Sequence, residues 1–325
     1  MATPTHVPAM ASRLINAMYA GVRRVSLEGT IGAGKSRFLG CLQERLAKNH
    51  AVTVAVVDEP VSAWCETTDD QGKSVLSYFY EDTARYSFLF QINALMTRYS
   101  ATAEANDDMR HLMCDSRADI PSADGNPRSH VLLSERTVVT DREVFAKMLH
   151  SDGKMNGIEY CVYKKTYDTL AARRPECVDV DGVIYIHTSP VEAKERITHR
   201  NRPGEDLPVE YLEECEQAHR NWLSAADFPV LVVDGSVHAD HAHYDELVEL
   251  AEGFLVNDLH TRVWRPVTTN DWSAALVRAQ SDGVAIYERN LPSLLGQEVQ
   301  AIPQQVPVAA DVHEAVRGIP EYVAE

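Results

Sequence analysis

Residues 24–36 read Arg-Val-Ser-Leu-Glu-Gly-Thr-Ile-Gly-Ala-Gly-Lys-Ser, and no other stretch limits the possible folds as sharply. A short apolar run stops at a glycine loop, and the loop leads into a helical pattern. Gly29, Gly34, Lys35 and Ser36 meet the G-x-x-x-x-G-K-[ST] spacing, with Gly32 and Ala33 inside the loop. A loop of this kind wraps polyphosphate with its backbone N–H groups pointing inward, which long side chains would obstruct. Lys35 then reaches the β- and γ-phosphates, Ser36 offers its hydroxyl to Mg²⁺, and the following helix turns its positive dipole end toward the anion.

The 325 residues are 45% apolar and 24% charged, which suits a water-facing globular chain of one large or two small domains. A net charge of −17 opposes a broad surface for a nucleic-acid polymer or an acidic membrane, so any basic cluster stands out. No apolar run reaches the 18 or more residues of a membrane span. The six cysteines are scattered without a C-x-x-C pair, which argues against a zinc site or a disulfide framework and fits a reducing, intracellular compartment. Residues 1–23 carry no Asp or Glu and have an Ala/Met/Leu/Ile-rich middle, a faint likeness to an organellar presequence with few basic residues. We read residues 1–21 as an arm in a cytosolic protein, with mitochondrial import as the lesser alternative.

Val25 to Glu28 reads as a first strand, and Ser36 to Lys48 as a helix with Phe38, Leu39, Leu42 and Leu46 at core spacing. Ala51 to Val57 is almost unbroken apolar, the pattern of a buried parallel strand lying beside the first in a βαβ unit. It ends in Asp58-Glu59-Pro60. Residues 74–100 are helix-rich and their many aromatic residues read as core, whereas residues 103–129 lose periodicity and read as a mobile insertion. A third strand at Val131 to Leu133 delivers Glu135-Arg136 to the same sheet edge, and helical patterns cover about 137–150 and 157–172. Gly182 to His187 is a fourth strand, after which Ser189-Pro190 opens a helix carrying Arg196, Arg200 and Arg202. A helix from Pro208 to Leu223, a fifth strand from Pro229 to Val233 and a closing helix from Asp245 to Leu255 complete a unit at 22–256. Residues 257–325, rich in proline, read as an appendage of unknown role. No candidate catalytic residue lies in it or in the amino-terminal arm, so both are expected to be dispensable for chemistry.

Three constellations therefore converge at the carboxyl edge of an open α/β sheet, where such folds bind ligands. The glycine loop is an anion cradle, Glu59 is a carboxylate one strand away, and Glu135-Arg136 adds an acid and a base. Phosphoryl transfer needs such a set: donors on the γ-phosphate, a carboxylate at the attacking hydroxyl and a metal between β- and γ-oxygens. Arg196 and Arg200 share a helix face, and with Arg202 they form a basic lid suited to neutralising transition-state charge. An ATPase with Asp58 on Mg²⁺ and Glu59 polarising water, and a non-catalytic nucleotide sensor, are the alternatives from other classes. The first would need a longer gap between Lys35 and Asp58, and the second would not need both Glu59 and an arginine lid.

The loop from Gly29 to Ser36, Asp58-Glu59-Pro60-Val61 with Trp64, Glu135-Arg136-Thr137, and Glu195-Arg196 through Glu205 together resemble the deoxynucleoside kinase family, across roughly residues 22–256. That resemblance implies an α/β P-loop kinase fold with a five-stranded parallel sheet flanked by helices, commonly as a homodimer. It implies transfer of the γ-phosphate of ATP or another nucleoside triphosphate, with Mg²⁺, to a deoxynucleoside 5′-hydroxyl for nucleotide salvage. In it Glu59 matches the general base, Arg136 the residue that orients that carboxylate, and Glu135 the acid of the magnesium shell beside Ser36. Tyr80 and Glu205 match the pair on the sugar 3′-hydroxyl, Gln91 the amide on the base edge, and Trp64, Phe90 and Phe145 the aromatic walls. The chain departs from the family pattern at Asp58, at Thr137 where serine is common, and at Pro203-Gly204 where the lid is usually more polar.

Gln91, Ala94 and Arg98 share one helix face by their spacing, and Asp141 follows Arg136 by five residues. Thymidine-accepting members of the family carry an apolar trio at the positions of Ala94, Arg98 and Asp141, whereas deoxycytidine and deoxyguanosine kinases carry alanine, arginine and aspartate. The resemblance thus implies purine deoxynucleosides or deoxycytidine as acceptors, with a thymidine-preferring member as the alternative.

Overall fold

The computed structural model describes residues 21–114, 129–202, 204–237, 242–258 and 268–287. The amino-terminal arm, residues 115–128 of the expected insertion, Pro203 and residues 288–325 lie outside the described set.

β1 (Val22–Glu28) runs into the glycine loop and α1 (Lys35–Leu46), then β2 (Val52–Val57), the short helices α2 (Val61–Glu66) and α3 (Val75–Glu81), and the long α4 (Thr83–Cys114). β3 (Ser129–Glu135) leads into α5, a helical run of Val138–Thr140, a π-helical turn Asp141–Ala146 and Lys147–Ser151. α6 (Gly157–Arg173), β4 (Gly182–His187), α7 (Pro190–Arg200), α8 (Val209–Leu223), β5 (Val230–Asp234) and α9 (Ala242–Gly253) follow. β6 (Thr268–Thr269), α10 (Trp272–Asp282) and β7 (Val284–Tyr287) end the described chain.

The strand order is β2-β3-β1-β4-β5-β7-β6. Strands β1 to β5 are mutually parallel, β7 runs antiparallel to β5, and β6 pairs parallel with β7. The five parallel strands foreseen from the sequence are thus present in a sheet of seven. β1 is central and every residue in it is buried. On one face Phe38, Leu39, Leu42 and Leu46 of α1 pack against Val25 and Leu27 of β1 and against Leu247 and Val248 of α9. Each such side chain contributes about 1.5–3 kcal/mol by leaving water.

Three expectations need correction. The apolar run at Val52–Val57 does not lie beside β1, because β3 intervenes and β2 is the outer strand among the described residues. The interior place goes to β3, where Val131, Leu132 and Leu133 are at most 3% exposed, while the middle of β2 is only half-buried. Residues 103–114 are not an irregular insertion, since α4 continues to Cys114. The added turns bury Met109 against Val22, Val57 and Leu132, and place Asn106 Oδ1 3.1 Å from the Arg24 guanidinium. The polar composition there marks the helix's outer face. Finally, the segment after 257 is not wholly an appendage. β7 hydrogen-bonds along β5, and α10 buries Trp272, Ala275 and Ala279 on Tyr185 and Val232. Truncation near residue 260 would bare the β5 edge, so the tail cannot be trimmed as a whole.

Candidate active site

Parallel register places the site. Val57 lies opposite Ser134, and Ser134 opposite Ser26, so the chains leaving β2, β3 and β1 meet at one edge. There Glu59, Glu135-Arg136 and the glycine loop surround a cavity of about 520 Å³. Of the site residues read from the sequence, all line this cavity except Gly29 and Ala33, which form the loop behind it.

The loop conformation demands glycine. Gly32 has φ 85° and Gly34 φ 94°, and a Cβ on Gly32 would sit 2.5 Å from the Ala193 carbonyl oxygen. Thr188 Oγ1 and Arg196 Nη1 both donate to the Ala33 carbonyl, at 3.2 and 3.1 Å, and Arg196 Nη2 donates to Gly235 O at 2.7 Å. The loop is therefore braced by the first lid arginine. Lys35 Nζ folds over it, donating to Thr30 O at 2.9 Å and Gly29 O at 3.2 Å. Burial, assisted by Arg136, lowers this ammonium to about 8. Ser36 Oγ donates to Glu135 Oε1 at 3.1 Å.

Glu59 is held from two sides. Arg136 Nη1 donates to its Oε1 at 2.6 Å and Arg98 Nη2 to the same oxygen at 3.2 Å. Burial alone would raise the carboxyl, but Arg136, Arg98 and Lys35 outweigh it and hold Glu59 at about 2. The group is thus fully ionised at any pH where the protein works. With Glu59 as the expected general base, kcat/KM should stay flat from about pH 7 down to about 5, because the acid limb of Glu59 would lie near its low pKa and Lys35 keeps its charge over that range. A profile that falls with a midpoint between 6 and 7 would show that another group controls the reaction. The sign for stability agrees: the depressed carboxylate stabilises the fold above its unfolded value, and that contribution is lost as pH falls through about 2.

Beyond Glu59 the cavity becomes aromatic. Phe90 stacks on Phe79 with centroids 4.5 Å apart and meets Trp64 edge-on at 5.3 Å. Trp64 Nε1 donates to Thr97 Oγ1 at 2.9 Å, which locks that ring. Gln91, Ala94 and Arg98 do share one buried face of α4. Arg98 Nε donates to Asp141 Oδ2 at 3.0 Å and Arg98 Nη1 to the Glu135 carbonyl at 2.9 Å. Burial raises the Asp141 carboxyl despite Arg98. The π-helical turn sets both Asp141 and Phe145 on the cavity, and the Phe145 ring lies 4.9 Å from the Arg136 guanidinium.

The lid closes the far side. α7 begins with Ser189 accepting from Glu192 N, has Pro190 in its first turn, and ends on Asn201 in the left-handed region. Arg200 Nη2 then meets Glu205 Oε2 at 2.6 Å and Arg202 Nη1 lies 3.5 Å from Glu205 Oε1, while Tyr80 OH donates to Glu205 Oε1 at 3.1 Å. Leu76, Phe79, Leu207 and Tyr211 also line the cavity and were missed from the sequence. By sequence alone Phe79 reads as core with its aromatic neighbours. Tyr211 sits in the first turn of α8, and only the packing of α8 against α5 brings it to the site.

Fold and site together define a P-loop phosphotransferase with a second, largely aromatic compartment beside its phosphate loop. The deoxynucleoside kinase family model matches residues 25–256. The chain belongs to that family, whose members transfer phosphate from a nucleotide donor to a nucleoside hydroxyl. It is 31% identical over 261 residues to deoxycytidine kinase of Rattus norvegicus, covering 72% of this chain and 91% of that protein. The same figures hold for deoxycytidine kinase of Homo sapiens. Mitochondrial deoxyguanosine kinase of Xenopus laevis is 29% identical over 214 residues, covering 62% of this chain and 74% of that protein.

Proposed function

We propose that this kinase transfers the γ-phosphate of ATP, or of another nucleoside triphosphate, to the 5′-hydroxyl of a purine deoxynucleoside or deoxycytidine in preference to thymidine. The observation that carries this reading is the position of Glu59, ionised between Arg136 and Arg98 where the phosphate loop meets the aromatic compartment. Both guanidiniums bind Oε1, so Oε2 is the oxygen that takes the hydroxyl proton. The freed oxygen attacks the γ-phosphorus as the bond to the β-phosphate oxygen breaks, and Lys35 with the lid arginines offsets the charge of the departing diphosphate.

Ser36 Oγ and the Glu135 carboxylate, 3.1 Å apart, are two hard oxygen donors beside the loop. That is the small protein contribution Mg²⁺ takes when phosphates and waters supply its other ligands. Held there by Ser36 and Glu135, the ion would offset negative charge on the donor's phosphates. Trp64, Phe90 and Phe145 are suited to wall the base, Gln91 to pair with its edge, and Tyr80 with Glu205 to hold the 3′-hydroxyl. For acceptor choice, Arg98 and Asp141 occupy the cavity wall, where an apolar pair would leave room for a thymine methyl. The deciding experiment is kcat/KM for the four natural deoxynucleosides, since discrimination is the ratio of those values. A thymidine preference would defeat the assignment.

A homodimer is part of this reading. Leu89 and Met96 on α4 and Ile158 and Val162 on α6 are 43–71% exposed, although the two helices pack together through Tyr99 and Leu170. Apolar side chains left exposed on neighbouring helices are what a second copy would cover isologously. Wild type is expected to sediment at twice 36.2 kDa and Ile158→Glu as a monomer. A wild-type monomer at assay concentration would refute the dimer. A reducing intracellular setting is supported by Cys41, Cys65, Cys161, Cys177 and Cys215, all free thiols. Among the described residues no helix is long and apolar enough to cross a membrane.

A further inference from the structure

Behind the phosphate loop, outside the cavity, lies a buried polar string that the phosphoryl-transfer chemistry does not use. Glu28, the last residue of β1, is fully buried, and so are Thr140 of α5 and His219 of α8. Thr140 Oγ1 donates to Glu28 Oε1 at 2.5 Å, and Ser26 Oγ donates to the same oxygen. Glu28 Oε2 faces His219 Nε2 at 3.7 Å, while His219 Nδ1 donates to the Cys215 carbonyl at 2.7 Å and so is anchored to its own helix. Burial opposes an imidazolium, but Cys215 and Glu28 raise it to about 9. A carboxyl and an imidazole buried this deeply are a poor source of net stability, so the value of the string lies in what it holds in place.

It holds the segment that carries the arginine on Glu59. Arg136 has φ 61°, a left-handed conformation that is strained for a non-glycine residue and persists only where its surroundings over-determine it. On one side of Arg136, its N–H donates to Leu27 O at 3.1 Å and its Nη2 to Gly29 O at 3.2 Å, the residues that flank Glu28. On the other side Thr137 and Thr140 form a reciprocal capping box, with Thr137 N donating to Thr140 Oγ1 at 3.1 Å and Thr140 N to Thr137 Oγ1 at 3.3 Å. Thr140 Oγ1 thus belongs to both the cap and the Glu28 carboxylate.

We propose that Thr140, Glu28 and His219 are positioning residues: the string ties the start of α5 to the base of the phosphate loop, fixing Arg136, and through it Glu59, relative to the transferred phosphoryl. None of the three touches the cavity. The proposal rests on Glu59 and Arg136 serving as read above, and the Glu59→Gln variant tests that separately.

The experiment compares full-length Thr140→Val, which keeps shape and loses the hydroxyl, with Thr140→Ser, which keeps the hydroxyl. Active sites are counted by calorimetric titration with deoxynucleoside, so that misfolded protein does not pass for slow enzyme. Thr140→Val is expected to lose roughly ten- to a hundredfold in kcat with KM for donor and acceptor almost unchanged, the scale of a misplacement below about 1 Å. Thr140→Ser is expected to restore most of the rate. An unchanged kcat in Thr140→Val, a loss confined to KM, or a serine variant as slow as the valine one would each overturn the proposal. If Thr140→Val does not fold, Glu28→Gln, which keeps an acceptor oxygen but removes the charge facing His219, is expected to show the same split. A Glu28→Gln enzyme with wild-type kcat would then overturn it.

Discussion

Replacing Glu59 by glutamine is expected to lower kcat by about 10² to 10⁴-fold while nucleotide and deoxynucleoside still bind. The substitution keeps the side chain's volume and lets one oxygen still accept from Arg136 and Arg98, but removes the carboxylate that the two arginines hold ionised where the phosphate loop meets the aromatic compartment. Single-turnover assays with both substrates saturating, together with binding isotherms for each, are the measurement. A variant that turns over within about threefold of wild type would remove Glu59 as the base, since general-base assistance is worth far more. A variant that fails to bind deoxynucleoside would assign Glu59 to acceptor binding instead.

The second large effect concerns the Arg98–Asp141 pair, whose side chains are 2% and 3% exposed. Arg98→Met alone leaves Asp141 buried without its cation, which is expected to cost about 3–5 kcal/mol and lower Tm by on the order of 10 °C. Asp141→Ala alone should cost less, because Arg98 keeps its bonds to Glu59 and to the Glu135 carbonyl. The double variant should be far less destabilised than the sum, since removing both partners removes the uncompensated charge. Its acceptor preference should shift toward thymidine in the four-nucleoside assay, as an apolar pair makes room for the thymine methyl. Additive thermal losses would show that the two groups are not energetically coupled. An unchanged preference order would show that the pair does not select the base.

Local order in the chain was enough to bring the candidate site residues to one cavity. The phosphate loop is a contiguous spacing with one physical meaning, and Glu59 and Glu135-Arg136 were legible because each directly follows an apolar strand in a parallel sheet. Those strands end at a common edge whatever their lateral order, so the convergence survived the misplacement of β2. The pairings of Arg98 with Asp141 and Tyr80 with Glu205 joined positions far apart in the chain, and the family likeness pointed to them where spacing could not.

What remained hidden depended on which surfaces pack together. An outer strand and a central one can both be apolar runs, and only competition for the place beside β1 distinguishes Val52–Val57 from Ser129–Glu135. The polar stretch at 103–114 is helical because Met109 and Asn106 find buried partners under it. Likewise Thr268–Tyr287 joins the sheet because β5 offers an unpaired edge and Tyr185 an apolar face for Trp272. Phe79 is both core and cavity wall, a distinction set by the stacking of one ring on another. The left-handed Arg136 and the buried Glu28–His219 contact are tertiary in the strictest sense: neither residue type announces them, and both exist because β1, α5 and α8 meet at one point.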